Sequence, residues 1–251
     1  MSTQRLVLML LVGVSLFICN ANRVFPKSGK PVAVIELFTS QGCSSCPAAD
    51  RLLSETIRQA KADGQAVYAL SFHVDYWDRL GWRDPFSGHQ YTERQRRYAQ
   101  LFKLQTVYTP QAVLNGKQEF VGSNRARLNS LLTSALQESA PVDVQLVAQR
   151  KGNTITVDYR LTGNLTGTLL NVALVSGSVS TDVGRGENAG RKLVNNNVVR
   201  SFATLPGQAR GQTTLVAPAN FDPADGAVIA YVQQEKTLMT LGASHVALVG
   251  R

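Results

Sequence analysis

Residues 32 to 38 read Val32-Ala33-Val34-Ile35-Glu36-Leu37-Phe38, a near-continuous apolar run rich in β-branched residues. That is the pattern of a strand covered on both faces, as in a parallel sheet. Thr39-Ser40-Gln41-Gly42 breaks the run. From Cys43 to about Ala62 apolar residues (Ala49, Leu52, Leu53, Ile57, Ala60) then recur at three- and four-residue spacing, which predicts an amphipathic helix. Asp63-Gly64 ends it. A second apolar run, Val67 to His73, follows. Strand, helix, strand in this order predicts a right-handed crossover with the two strands parallel.

Residues 74 to 90 are rich in Asp, Gly, Pro and aromatics, a long loop of the kind that usually has a functional reason. A polar helix is expected from Thr92 to Lys103. Ala112-Val113-Leu114 and Glu119-Phe120-Val121 flank Asn115-Gly116, which favours the positive φ of a tight hairpin. A helix over Arg125 to Glu138 closes this half. Beyond Ser139-Ala140-Pro141 the pattern becomes two-residue alternation: Val142, Val144, Leu146 and Ala148, then Ile155, Val157, Tyr159 and Leu161. Further β-like runs lie at 169–175, 193–205, 213–217, 228–233 and 238–248. Strands at this spacing without a helix predict a β-sandwich. The expected fold is an α/β domain over 30–140 followed by an all-β, sandwich-like domain over 141–251.

Composition narrows the class. With 251 residues, 44% hydrophobic and 17% charged, the chain is globular rather than disordered or fibrous. The net charge of +9 comes from 26 Lys and Arg against 17 Asp and Glu, but the basic residues are scattered and form no track for a phosphate backbone. The expected partners therefore exclude nucleic acid.

Arg5 precedes the apolar run Leu6 to Cys19 and then Asn20-Ala21-Asn22. That run is too short for a membrane-spanning helix, which needs about 20 residues, and fits a secretory leader over 1–21, cleaved after Ala21. An uncleaved membrane anchor is the alternative. Export gives a periplasmic or secreted location, where disulfides persist.

Of three cysteines, two form Cys43-Ser44-Ser45-Cys46 at the expected start of the first helix. Helix N-terminal N–H groups and the helix dipole favour a thiolate. Cys43 is therefore the expected nucleophile, at the exposed helix start, and Cys46, one turn on and facing inward, the resolving thiol. A purely structural disulfide or a metal site is the competing use of such a pair. Glu36, a carboxylate in an apolar strand, must be paired or protonated. It is a proton-transfer candidate, or else it meets solvent or an arginine. His73, at the end of the second strand, lies near the cysteines if the strands are parallel. It is a base or electrostatic partner for Cys43, a third ligand with Cys43 and Cys46 for Cu(I), or a histidine that fixes a loop by a hydrogen bond. Tyr76, Trp77 and Trp82 form a peptide-contact rim or pack the long loop.

Cys-x-x-Cys after a first strand, together with Thr109-Pro110 just before the hairpin strands, resembles the thioredoxin superfamily. The resemblance implies a cis peptide bond before Pro110 and substrate-peptide binding by Thr109. It also implies a buried acid on the first strand, a role that would fall to Glu36. Glu36-Leu37-Phe38-Thr39-Ser40-Gln41-Gly42-Cys43-Ser44-Ser45-Cys46-Pro47, His73-Val74-Asp75-Tyr76-Trp77-Asp78, Leu80-Gly81-Trp82, Asp84-Pro85-Phe86, Arg94-Gln95 and Tyr108-Thr109-Pro110-Gln111 are more specific. They resemble a bacterial family of secreted thioredoxin-like proteins catalogued as domain of unknown function 1223. The likeness continues through Gly186 to Arg191 and Asn197 to Arg200, and implies the fold but no substrate.

Two function classes follow. One is an extracytoplasmic thiol-disulfide oxidoreductase with no cofactor beyond its redox-active disulfide. It would act on protein or small-molecule disulfides with an unidentified redox partner. The other is a non-enzymatic binding module, either a Cu(I) carrier through Cys43, Cys46 and His73 or an interaction protein on a thioredoxin scaffold. Gly184-Arg185-Gly186-Glu187-Asn188-Ala189-Gly190 lacks the spacing and following helix of a phosphate loop, so it is expected to be a turn-rich loop of the β half.

Overall fold

Strand β1 (Ala33–Thr39) is buried at every position, as a run of seven residues with a single charge requires. It lies at the heart of the computed structural model, which describes residues 29–248. The expected leader over 1–21 lies outside them. β1 leads through a short loop to α1 (Cys46–Ala62) and then to β2 (Val67–His73). β2 pairs with β1 in parallel, with Thr39 opposite His73 at the C-terminal edge. Helix α2 (His89–Leu101), strands β3 (Gln111–Leu114) and β4 (Gln118–Val121), and α3 (Arg125–Ala135) complete the first half. β3 runs antiparallel to β1, and β4 to β3. The hairpin turn has Asn115 and Gly116 both at positive φ. A Cβ at Gly116 would collide with the Leu238 carbonyl oxygen, so the turn needs glycine for space as well as for backbone angle.

The second half supplies β5 (Asp143–Lys151), β6 (Thr154–Thr162), β7 (Thr168–Asp182), β8 (Lys192–Pro206), β9 (Arg210–Val216), β10 (Gly226–Gln234) and β11 (Thr240–Ala247). β11, β10, β7 and β8 continue the first sheet through β2, giving one eight-stranded sheet in the order β11-β10-β7-β8-β2-β1-β3-β4. The join is narrow: Ser71 of β2 pairs with Val198 of β8. β5, β6 and β9 form a second, three-stranded sheet. The architecture is thus mixed α/β dominated by one large sheet with few helices. The expected division into an α/β unit and a separate β unit is not visible as two independent sheets. β8 carries its pairing into the first half, an association of distant segments that no local periodicity encodes.

Alternation along β1 sends Ala33, Ile35 and Leu37 toward Leu52 and Leu53 of α1 and Leu128 of α3. Val34 and Phe38 face the other way, into a core with Tyr91 and Tyr98 of α2 and Ala173, Val175, Ile229 and Tyr231 of the second half. Both halves therefore share one hydrophobic core. A third cluster joins Val144, Ile155 and Val157 of the small sheet to Leu170, Val172, Leu174 and Val228 of the large one. β7 and β8 are each 15 residues long. Their far ends extend beyond the shared core to α1, where Ser54 Oγ donates to Asn196 Oδ1 at 2.6 Å.

No helix among the described residues is long and apolar enough to cross a membrane.

Candidate functional site

The C-terminal edge of β1 and β2 holds the cysteine pair. β1 ends at Thr39, and Ser40-Gln41-Gly42 turns the chain so that the Cys43 N–H donates to the Ser40 carbonyl at 3.2 Å. Helix α1 begins at Cys46 with Ser45 as its N-cap, so Cys43 precedes the helix by three residues instead of starting it. Pro47 explains the late start, because its fixed φ and missing N–H suit the first helical turn. Cys43 and Cys46 are joined as a disulfide with Cα atoms 5.4 Å apart. Sequence led us to expect an exposed Cys43 and an inward Cys46, and this is corrected: both are 0% exposed, although Ser44 and Ser45 between them are open to solvent.

A buried polar cluster lies against the cysteine loop at Gln41 and against the end of β1 at Thr39. His73 Nδ1 stands 2.7 Å from Asp84 Oδ2, and both side chains are fully buried. The same Asp84 oxygen accepts the Gln41 N–H at 2.8 Å, and its Oδ1 accepts the Phe86 N–H at 3.0 Å. Burial pushes the Asp84 carboxyl up, but the His73 charge, the His73 hydrogen bond and these two N–H groups outweigh it and hold the pKa below 3.8. Burial pushes His73 down, while Asp84 and, beyond it, Asp50 leave the imidazole above its ordinary 6.5. His73 Nε2 has no hydrogen-bond partner among the described residues. His73 thus anchors the 74–90 loop, the reading in which it makes a loop-fixing hydrogen bond.

Asp50 lies one helical turn beyond Cys46, on the same buried side of α1. Thr39 Oγ1 donates to its Oδ1 at 3.0 Å. Burial lifts its pKa from 3.8 to about 6, with His73 and Thr39 pulling part of the way back. Sequence analysis missed this acid. The available signal was an aspartate inside the apolar stripe of α1, between Ala49 and Leu52.

Glu36 does not join this cluster. It lies on the α2 side of β1 with Val34 and Phe38, where Arg94 Nε and Nη2 donate to its two oxygens at 2.5 and 2.9 Å and Tyr98 Oη donates at 2.5 Å. Arg94 also reaches Tyr231 Oη at 3.0 Å and Gln233 Oε1 at 2.8 Å. Of the open readings of Glu36, the structure therefore has the arginine-paired one: a buried ion pair between β1 and α2, from which Arg94 reaches on to β10.

Thr109 and Pro110 are joined by a cis peptide bond. Trp77 Nε1 donates to Thr109 Oγ1 at 2.8 Å, while the Trp77 Cβ packs against Gly42, so one side chain spans from the cysteine loop to the Thr-Pro loop. Tyr76 Oη donates to Gln95 Oε1 at 3.2 Å, and Trp82 Nε1 to Gln41 Oε1 at 3.2 Å. All three aromatics are half-buried with their polar ends engaged, as packing of the long loop requires.

The loop between β7 and β8, residues 183–191, lies on the cysteine loop. The buried Asn188 donates from Nδ2 to the carbonyls of Gln41 and Cys43, each at 2.9 Å. Glu187 Oε2 accepts the Ser44 N–H at 2.9 Å, and Gly184 and Gly186 sit close against Trp82. Read from sequence only as a turn-rich loop, this segment is part of the site.

In this oxidised form the sulfurs of Cys43 and Cys46 are bonded to each other and His73 Nδ1 is held by Asp84, and no group of three or more His, Cys, Asp or Glu among the described residues is spaced to hold a metal ion.

Residues 34–233 match a family model described as "Protein of unknown function (DUF1223)". A crystal structure of an Agrobacterium tumefaciens protein superposes with a TM-score of 0.66 at 29% identity, covering 89% of this chain and 97% of that one. A domain of the outer membrane lipoprotein Omp28 from Porphyromonas gingivalis overlaps 44% of this chain and 89% of its own, at 18% identity and a TM-score of only 0.28. That overlap carries no argument. No curated protein matches the chain.

Proposed function

Because the chain belongs to the DUF1223 family, whose description names no activity, we propose its function from the site itself: an extracytoplasmic thiol-disulfide oxidoreductase acting through Cys43 and Cys46. The observation that carries the reading is the disulfide at the start of α1, with a buried carboxyl of pKa about 6 one helical turn beyond Cys46. The parallel β1–β2 pair, the antiparallel β3 and β4 beside β1, and the position of the cysteines support a thioredoxin-like arrangement for the first half. Packing of β5 and β6 on β7 and β10 supports a sandwich-like second half. A periplasmic or secreted location suits a disulfide that must persist.

The exchange balances without a further cofactor. A substrate thiolate attacks Cys43 Sγ, the Cys43–Cys46 bond breaks, and its electron pair leaves on Cys46. The Cys46 thiolate takes a proton, and Asp50, on α1 one turn beyond Cys46 and half-protonated near pH 6, is the group proposed to give it. A second substrate thiolate then attacks the substrate sulfur of the mixed disulfide and releases Cys43. Two electrons have passed from substrate to protein, and the reverse sequence reduces a substrate disulfide. His73 and Asp84 fix Gln41, and so the backbone leading to Cys43. Thr109 and Pro110, with Tyr76 and Trp77 beside them, are the proposed substrate-binding edge, and a second redox protein is the expected partner.

The experiment is exchange of the chain, first reduced and freed of reductant, with a disulfide-containing protein, followed by acid quench and mass spectrometry in the wild type, Cys43→Ser and Cys46→Ser. Wild type should transfer two electrons per chain and both variants none. Transfer surviving in Cys43→Ser would remove the reading.

A further inference from the structure

Cys43 is wholly buried while its neighbours Ser44 and Ser45 are exposed, so something other than the helix start closes it. The backbone on either side of it is held from the second half of the chain. Asn188 gives both protons of its carboxamide nitrogen to carbonyls either side of Gly42, and Glu187 takes the next free N–H, that of Ser44. Arg191 Nη1 donates to Asn188 Oδ1 at 2.7 Å and so fixes which way the amide points. The groups satisfied are backbone carbonyls and a backbone N–H on one short stretch, 41–44. An extended polypeptide lying along that stretch would offer the same functions, N–H donors and carbonyl acceptors in alternation. A small disulfide such as hydroxyethyl disulfide offers no such alternating array.

We infer that Glu187 and Asn188 are specificity-determining residues. They stand in for substrate backbone over Cys43, and release it when an extended polypeptide takes over their hydrogen bonds. The inference rests on the oxidoreductase reading for its biological meaning and assigns that site a substrate class, polypeptide thiols and disulfides. It also gives the β half a role at the site. Because the contacts go to backbone and not to sulfur, the closure slows attack from either side without favouring one redox state.

Reduction of the isolated full chain by dithiothreitol tests the closure directly: two dithiothreitol thiols become its cyclic disulfide as Cys43 and Cys46 become thiols. Rates are read by acid quench and alkylation in wild type, Asn188→Ala, the isosteric Asn188→Asp and, should either fail to fold, Arg191→Ala. The expected result is a rise of at least tenfold in both Asn188 variants and about threefold in Arg191→Ala. Forward and reverse rates should rise together, so that the equilibrium with dithiothreitol changes less than twofold. Equal rates within twofold, or a rise in one direction alone, overturn the inference. In a second arm, reduced wild type freed of reductant should exchange with an unfolded polypeptide disulfide at least tenfold faster than with hydroxyethyl disulfide, and reduced Asn188→Ala should lose that preference. An unchanged preference overturns the substrate class. A chain that opens as described under dithiothreitol but exchanges with neither disulfide would refute the oxidoreductase reading and leave the closure standing.

Discussion

Asp84 holds the His73 imidazole at 2.7 Å, and the oxygen that does so also binds the Gln41 N–H at 2.8 Å, so one carboxylate oxygen ties the end of β2 to the backbone two residues ahead of Cys43. Removing its charge should be felt at both ends. In Asp84→Asn the burial penalty on His73 loses its main opposition, and the imidazole pKa should fall from above 6.5 to below it, read by NMR titration. Losing a buried charge pair should cost about 3 to 5 kcal/mol. In wild type the His73 contribution is full below pH 6.5 and fades as pH rises through the raised folded value. That of Asp84 is full above pH 3.8 and fades as pH falls through the depressed one. A His73 titration unmoved by the substitution would contradict the pairing.

Asp50 should behave in the opposite sense. Its folded pKa of about 6 lies above the ordinary 3.8, so the native state holds the proton more tightly and stability falls as pH rises between those values. Asp50→Asn should therefore stabilise the protein at pH 7, by about 2 to 3 kcal/mol in denaturant titrations. It should also abolish an inflection near pH 6 in the rate of disulfide exchange. A variant no more stable than wild type at pH 7 would contradict the buried, raised carboxyl.

Arg94→Met should leave Glu36 as an unpaired charge on a face where both side chains are under one-tenth exposed. The expected loss is about 3 to 5 kcal/mol, with more than half recovered in Glu36→Gln/Arg94→Met. Because this pair lies on the α2 side of β1, the double variant should keep the wild-type equilibrium with dithiothreitol. A shift in that equilibrium would return Glu36 to the redox site.

Cys46→Ala should accumulate mixed disulfides through Cys43, and Cys43→Ala should not. Non-reducing gels after exposure to an unfolded disulfide protein give the answer, and equal trapping by both variants would end the assignment of Cys43 as nucleophile.

Local pattern carried much of this architecture. The apolar runs at β1 and β2, the three- and four-residue spacing of α1 and the Asn115-Gly116 turn all report short-range preferences, and the elements lie within a few residues of where those preferences put them. What sequence did not carry is association at a distance. Nothing around Ser71 or Val198 announces that β2 and β8 pair across 127 residues of chain, and nothing in Gly184 to Gly190 says that Asn188 lies on Cys43. The same holds for the site. Cysteine spacing is local and was legible. Whether Glu36 or Asp50 shares the side of the sheet that α1 covers depends on which face of β1 and α1 each occupies, and that is fixed only when both faces of the sheet are covered.

The central claim is that Cys43 and Cys46 form a redox-active rather than a structural disulfide, and its midpoint potential tests this most directly. Purified protein is equilibrated at pH 7 in glutathione buffers of graded ratio, and in dithiothreitol buffers for the more reducing end, then quenched in acid, alkylated and weighed. The account predicts a reversible two-electron transition with a midpoint between about −270 and −120 mV, the range of disulfides that exchange with partners. A pair that stays oxidised to below about −300 mV, as structural disulfides do, would contradict it.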